Sequence, residues 1–487
     1  MGWTERLEWG KKLISQGLFH AALDHLHDLE REASSSEPVW IGELYNELGK
    51  AYGFLTDYRE AVSRFTKAIS HARDRDGWAK YNVNLAYVYR RMSEFDTSYR
   101  YLSLVYEFIE ELSPLQQGHL LLNLSAIHGL NGFYEQAIDC ARRSLVAYSS
   151  ANTHHYDARL YANLGLAYRE LGKYDEAKKH LEIAIQLSGD RWISVFPELG
   201  FVYLLRGELE KGLACAQRAL KVVWSSLITY DKEDLAILCR FLAQIAKQSN
   251  VTQLAIRLAE KAQVFYGQIG MWRQWQDIDS EMTELLHNSP QCNTIDSSAL
   301  SFSEIRTFLN CLDVVNAQEI INKKISNTLD MRVHYTKLLA NALRLPEQDQ
   351  DDLVLAARFS DYGLTALETE VVLNPLRSPQ AFEQYKQHPD LSVRMLRTFN
   401  LPERILDIAA DHHENYDGTG FPMGKKQGEI HYLARVLAVV DKYVSRVVLD
   451  GLSHSETVKE IVGQSGKVFD PSIVYAFRKL FETNGLP

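Results

Sequence analysis

The sequence predicts an all-α protein, a helical solenoid followed by a helical bundle. Three observations lead there. Proline is scarce, 12 in 487 residues, about half the usual ~5%, and inside a helix it costs ~3 kcal/mol. The prolines are also uneven: Pro38, Pro114 and Pro197 precede residue 285 and nine follow, so two regions are built differently. A small residue recurs at long intervals through the first region, while the second carries a dense run of His, Asp and Gly between two amphipathic segments. At roughly 150 residues per domain, the length suggests about three domain equivalents.

Composition narrows the function classes. With 46% hydrophobic and 24% charged residues, the chain can bury a sizeable core. No stretch approaches the ~20 consecutive apolar residues of a membrane span. The opening MGWTERLEWGKKLIS lacks the apolar core of a secretory signal, and Arg6 stands where myristoylation after Gly2 requires Ser or Thr. Five scattered cysteines, Cys140, Cys215, Cys239, Cys292 and Cys311, form no CxxC pair. That argues for a reducing cytoplasm and against zinc ribbons or a disulfide scaffold. A formal charge of −10 without a basic run makes nucleic acid a poor partner, and no membrane partner is expected.

The first element is a repeat. Leu48, Gly49, Tyr52, Tyr58, Ala61, Phe65 and Ala68 in one unit correspond to Leu164, Gly165, Tyr168, Tyr174, Ala177, Leu181 and Ala184 in another. The small residue of the template falls at Gly10, Gly49, Ala86, Ser125, Gly165, Gly200 and, weakly, Ala243, with spacings of 39, 37, 39, 40, 35 and 43 residues. This pattern resembles the tetratricopeptide repeat (TPR) family, whose unit is two antiparallel helices. Small residues let the two helices approach closely, aromatics fill the gaps between successive pairs, and each pair needs its neighbour to bury its apolar face. The resemblance implies a superhelical array of six or seven helix pairs over residues 5–285, binding a protein or peptide. Asn84, Asn123 and Asn163 recur two positions before the small residue. In the family such asparagines often hold a ligand's main chain, because an amide both donates and accepts; interhelical hydrogen bonding is the other reading.

Residues 286–304 break the pattern with clustered Ser, Asn, Pro and Asp, as a linker does. A connecting helix is expected over 305–319, beginning near Ser303.

The last element, residues 320–485, carries the chemistry. The segment ERILDIAADHH reads as a helix ending near Glu414. Gly418, Gly420, Gly424 and Gly428 with Pro422 then force a compact loop, and a second helix runs through Leu433, Val436, Leu437 and Val440 to about Val448. Adjacent histidines at a helix end, with an aspartate one helix later, suggest a metal centre, and imidazole with carboxylate suits iron, manganese or zinc.

His412, His413, Glu414, Asp417, Gly418, Gly420, Phe421 and Pro422 resemble the HHE-x2-DG-x-G-Y-P motif of the HD-GYP family, with Phe for Tyr. This family is a branch of the HD phosphohydrolases that hydrolyses cyclic di-GMP in bacteria. HYTKLLANAL resembles the family's opening helix and supplies His334. QHPDLSVRML supplies His388, Asp441 matches the downstream aspartate with Arg435 before it, and GKVFDPSIVYAF matches the closing helix. The resemblance implies a two-metal centre in which Asp361 bridges the metals and is the catalytic carboxylate, because paired metals activate a water and clamp phosphate oxygens. One metal would take Asp361, His388, His412 and His413. The other would take Asp361, Asp441 and His334.

Four positions depart from the family pattern. Ser360 replaces the histidine of the H-D pair, Leu364 replaces the lysine expected to meet phosphate, and Asp450 lies near an expected arginine. Asp330 stands where a longer third-metal carboxylate belongs. Neutral serine is a poor ligand, and loss of a cationic phosphate partner removes roughly 100-fold or more in rate. One ion, two ions or none remain open. The expected function is a cytoplasmic signalling protein whose second domain binds cyclic di-GMP or docks on a diguanylate cyclase with impaired catalysis. A working metal-dependent phosphodiesterase is the alternative, and a bare scaffold a third.

Overall fold

A computed structural model describes residues 2–33, 40–189, 194–224, 232–287, 302–321, 323–399 and 401–482. These residues are all-α, with no β-strand among them and a single isolated bridge, Ser465–Phe469. None of their helices is long and apolar enough to cross a membrane. Two compact units form; the second runs from Ser303 and also includes Ser15–Asp24.

The N-terminal region is a stack of helical hairpins: α1 (Trp3–Ser15) with α2 (Phe19–Ala33), whose turn segment Ser15–Asp24 belongs to the second unit, then α3 (Ile41–Phe54) with α4 (Tyr58–Ser70), and α5 (Arg75–Arg91) with α6 (Phe95–Tyr106). They continue as α7 (Pro114–Leu130) with α8 (Tyr134–Ser150), α9 (Asp157–Glu170) with α10 (Tyr174–Ser188), and α11 (Val195–Leu205) with α12 (Leu209–Trp224). The last are α13 (Lys232–Gln248) with α14 (Thr252–Gln268), followed by α15 (Trp272–His287). The small residues do what the repeat pattern requires. A Cβ on Gly49 would stand 2.9 Å from the Phe65 ring, and one on Gly165 2.4 Å from Leu181. Gly200 differs, since it gives way to Phe241 of α13 rather than to its own hairpin partner. Where the small residue carries a hydroxyl, the close approach becomes a hydrogen bond: Ser125 Oγ donates to the Ala137 carbonyl at 2.9 Å, and Ser98 Oγ to that of Ala86 at 2.8 Å.

Each hairpin turns at one left-handed residue seven positions after its small residue: Gly17, Thr56, Ser93, Gly132, Gly172, Gly207 and Asn250. Such a residue closes the exposed carbonyls at a helix C-terminus. The faint repeat at Ala243 is therefore a full hairpin with the same turn. Of the polar seam at 286–304, residues 288–301 lie outside the described residues, Cys292 among them. Cys140, Cys215, Cys239 and Cys311 are buried thiols.

The second unit continues with α16 (Phe302–Ile321), α17 (Lys323–Ala342), α18 (Glu347–Phe359), α19 (Thr369–Leu373) and α20 (Pro379–Tyr385). It closes with α21 (His388–Leu396), α22 (Glu403–Asp411), α23 (Tyr432–Val444), α24 (His454–Gly463) and α25 (Pro471–Glu482). Helix α17 packs on α18, α23 and α25, while α22 packs on α18, α21 and α23. Val333, Leu339, Phe359, Ile408, Val440 and Phe477 fill the space between. Helix α22 stops at Asp411, so His412 and His413 sit in the turn that follows. Two segments singled out by motif are tied together, since Arg435 Nη1 donates to Asp470 Oδ2 at 2.6 Å.

Candidate metal centre

Three helix ends deliver the four residues of the centre. Asp361 follows the end of α18, His388 opens α21, and His412 and His413 leave α22. One ligand atom from each of Asp361, His388, His412 and His413 lies within 4.8 Å of the others. Asp361 Oδ1 is 3.4 Å from His388 Nε2 and 3.3 Å from His412 Nε2, and the two Nε2 atoms are 3.4 Å apart.

The backbone sets the tautomers. His388 Nδ1 lies 2.8 Å from the Tyr385 carbonyl and His412 Nδ1 2.7 Å from that of Ala409. A carbonyl can only accept, so each Nδ1 carries the proton, and the neutral ring presents a lone pair at Nε2, as in ligating histidines. The third imidazole, His413, has a buried Nε2 with no protein partner. Burial first, and then the neighbouring His412 and His388, hold it well below the usual histidine range. Lone pairs converging beside a carboxylate, with one buried nitrogen unpaired, form a donor set that fits a single divalent transition metal.

The rings and loop around the set hold it in place. Tyr385 lies 4.8 Å from the His388 ring and Phe421 4.8 Å from the His413 ring, centroid to centroid. Asp417 Oδ1 accepts from Thr419 N at 3.0 Å and Thr419 Oγ1 at 2.6 Å, and Gly418 is left-handed at φ +86°. Gly420 is obligatory, because a Cβ there would stand 2.2 Å from Asn415 N and 2.5 Å from the His413 carbonyl. Pro422 follows a cis bond, and Glu414 Oε1 accepts from Met423 N at 2.7 Å. Burial raises the Glu414 carboxyl.

Other expected ligands are not in this group. His334 is turned away: its Nε2 lies 2.7 Å from the Gly17 carbonyl and its ring stacks on Phe19. The reason is helical register. Arg332 shares the inward stripe of α17 with Leu329, Val333, Thr336 and Ala340, and positions two apart on a helix do not face the same way. Arg332 Nη2 pairs with Asp361 Oδ2, Nη1 donates to Ser360 Oγ at 3.0 Å, and Nε lies 3.2 Å from Asp441 Oδ1. Asp441 thus meets an arginine, outside the four-residue group. Burial alone would raise the Asp361 carboxyl, but Arg332, His388 and His412 hold it well below the carboxylate range. The sequence motifs do not include Arg332; its signal is an arginine at i−4 and i−8 from Thr336 and Ala340 on one helical stripe.

The departures from the pattern have partners of their own. Ser360 is fully buried, and Leu364 is buried rather than facing an open site. Asp450 pairs with Arg446 at 2.6 Å, and Asp330 with Arg358 at 3.0 Å. In the first unit, Asn84 donates to Asn46 Oδ1 at 2.8 Å, Asn163 to Ser125 Oγ at 3.3 Å, and Asn123 to the His119 carbonyl at 2.8 Å. All three amides are half-buried, and each gives one of its two N–H donors to a partner within the array.

Comparison with known proteins fits this organisation. Residues 316–473 match the family described as HD domain, and residues 42–74 and 116–188 match tetratricopeptide repeat families. The chain is similar to a cyclic di-GMP phosphodiesterase of Thermotoga maritima, 30% identical over 194 residues, which are 37% of this chain and 51% of that protein. It is likewise similar to a cyclic di-GMP phosphodiesterase of Vibrio cholerae serotype O1, 29% identical over 307 residues, 60% of this chain and 57% of that protein. The chain thus spans little more than half the length of either relative. Among solved structures, a tetratricopeptide repeat protein from Parabacteroides merdae aligns at 16% identity and a TM-score of 0.40, over 57% of this chain and 98% of that one.

Proposed function

We propose that this chain, which carries tetratricopeptide repeats in its N-terminal region and an HD domain at residues 316–473, is a bacterial cytoplasmic signalling protein. The repeat array binds a protein or peptide. The HD domain is of the HD-GYP type, holds one divalent metal, and binds cyclic di-GMP or docks on a diguanylate cyclase with impaired catalysis. The observation that carries this reading is the one complete donor set among the described residues, Asp361, His388, His412 and His413, beside a buried Ser360 where a second metal needs an imidazole.

A metal bound by these four residues would supply Lewis acidity to a phosphate oxygen and acidify a coordinated water. The protein's share is orientation. Asp361 stays ionised at neutral pH, the Tyr385 and Ala409 carbonyls fix the two Nε2 lone pairs, and the Phe421 and Tyr385 rings shield the histidines from water. Without a second metal, the attacking and leaving oxygens lack the symmetric clamp of two-metal hydrolysis.

The names of the relatives favour a second reading, a working phosphodiesterase. Incubation with cyclic di-GMP and Mn²⁺ or Fe²⁺ decides between them. Multiple turnover that vanishes in Asp361→Ala establishes the enzyme and sinks the impaired-catalysis reading. Binding without turnover supports a receptor, and the absence of both supports a scaffold.

A further inference from the structure

We infer that Arg332 is the protein's own substitute for a second metal ion, so that the centre is a metal–arginine pair taking one divalent ion per chain. This rests on the single-metal reading above and explains how the vacated half of the site is filled.

The two oxygens of Asp361 serve two different cation positions. Oδ1 faces His388 and His412, the side where the donor set is complete. Oδ2 faces the Arg332 guanidinium. That same guanidinium contacts Ser360 Oγ and approaches Asp441 Oδ1. Asp361, position 360 and Asp441 are three of the positions the family pattern assigns to the second metal, and one arginine collects all three, while His334, the fourth, is held by the Gly17 carbonyl. Arg332 is 3% exposed. Its Nε lies near Asp441 without an aligned hydrogen bond, so this contact is held by charge, as a contact to a metal is. Ordinary helix-face packing does not require a cation here, since the neighbouring positions on the stripe, Leu329, Val333, Thr336 and Ala340, carry none.

The charge balance has a direct consequence. Two carboxylates and one guanidinium leave a net charge of −1, which a single divalent ion turns to +1. A second divalent ion would have to sit against a guanidinium that does not lose its proton. The centre therefore keeps a positive field for an anionic phosphodiester, while no second ion shares a bridging hydroxide. Unlike a bound metal, the arginine cannot be removed by chelation.

The test is metal stoichiometry and magnetic coupling rather than activity. Wild-type protein saturated with Mn²⁺ and desalted should retain about one ion per chain and give an uncoupled Mn²⁺ paramagnetic resonance spectrum. The double variant Arg332→Met with Ser360→His should retain about twice as much and show exchange coupling. Two ions, a coupled spectrum or no ion in the wild type overturns this inference and the single-metal reading together. One ion in the wild type and still one in the folded double variant overturns the role of Arg332 alone. Should the double variant not fold, Arg332→Lys must still hold one ion; a second ion there sinks the inference, and the wild-type spectrum needs no variant.

Discussion

Gly363 and Gly420 are positions where a single methyl group reaches the centre. A Cβ on Gly363 would stand 2.2 Å from the His388 carbonyl and 2.6 Å from Ser392 N, backbone atoms that cannot swing aside. Gly363→Ala should therefore destabilise the second unit by ~2–3 kcal/mol, the cost of overpacking, read as a lower urea midpoint. It should also weaken metal retention ~10-fold or more, because it displaces the group that carries His388. Unchanged metal affinity would mean that His388 is not held through this contact. Leu364 brings a different lesson. Its burial means that Leu364→Lys places an ammonium in the core, so restoring the family's lysine should lower stability rather than improve phosphate binding, which a thermal melt and a ligand titration will separate.

At the scale of elements, the hairpin turns share one backbone conformation but not one residue. Thr56 holds φ 60° despite its β-branch, whereas Gly172 holds φ +71° with nothing within 4 Å of where a Cβ would stand. Left-handed backbone costs a side-chain-bearing residue ~1 kcal/mol or more relative to glycine. Thr56→Gly should raise the stability of the array by about that amount and Gly172→Thr should lower it, both measured by chemical denaturation; opposite signs would refute the common-turn account. The amides offer a second test. Asn84 bridges α5 to Asn46 of α3, so Asn84→Ala should cost ~1 kcal/mol even without ligand. A variant that loses peptide binding at full stability would return these asparagines to the ligand-holding role read from the repeat pattern.

For the whole molecule, burial sets the response to acid. His20, His119 and His454 are each lowered to about 4, with burial the largest cause. Between the ordinary histidine range and pH 4, the unfolded chain therefore binds protons that the folded chain refuses, so stability rises with pH across this window. It is fully present above pH ~6.5 and is lost as pH falls toward 4. Each group contributes ~1–2 kcal/mol once the partial exposure of the rings is discounted. Asp234, raised to about 7 mainly by burial, works the other way and offsets one of the three. The melting temperature should still fall from pH 7 to pH 4.5, and His454→Gln should flatten that dependence; a higher melting temperature at pH 4.5 would reverse the assignment.

Both architectures are legible in the residues alone, because both are written in local periodicity. Small residues seven positions ahead of each turn mark the hairpins, and the His412–Pro422 string carries its own loop geometry in Gly418 and Gly420. The sequence also marks His388, His412, His413 and Asp361, since motif residues at helix ends point wherever the chain turns. What lies against Asp361 Oδ2 depends instead on how helices distant in the chain pack together. His334 and Arg332 lie two residues apart on α17, and matching residue types along a string cannot tell which of them faces inward. Packing against α18 and α23 chose Arg332, turned His334 onto the Gly17 carbonyl, and set a fixed cation between Asp361 and Asp441.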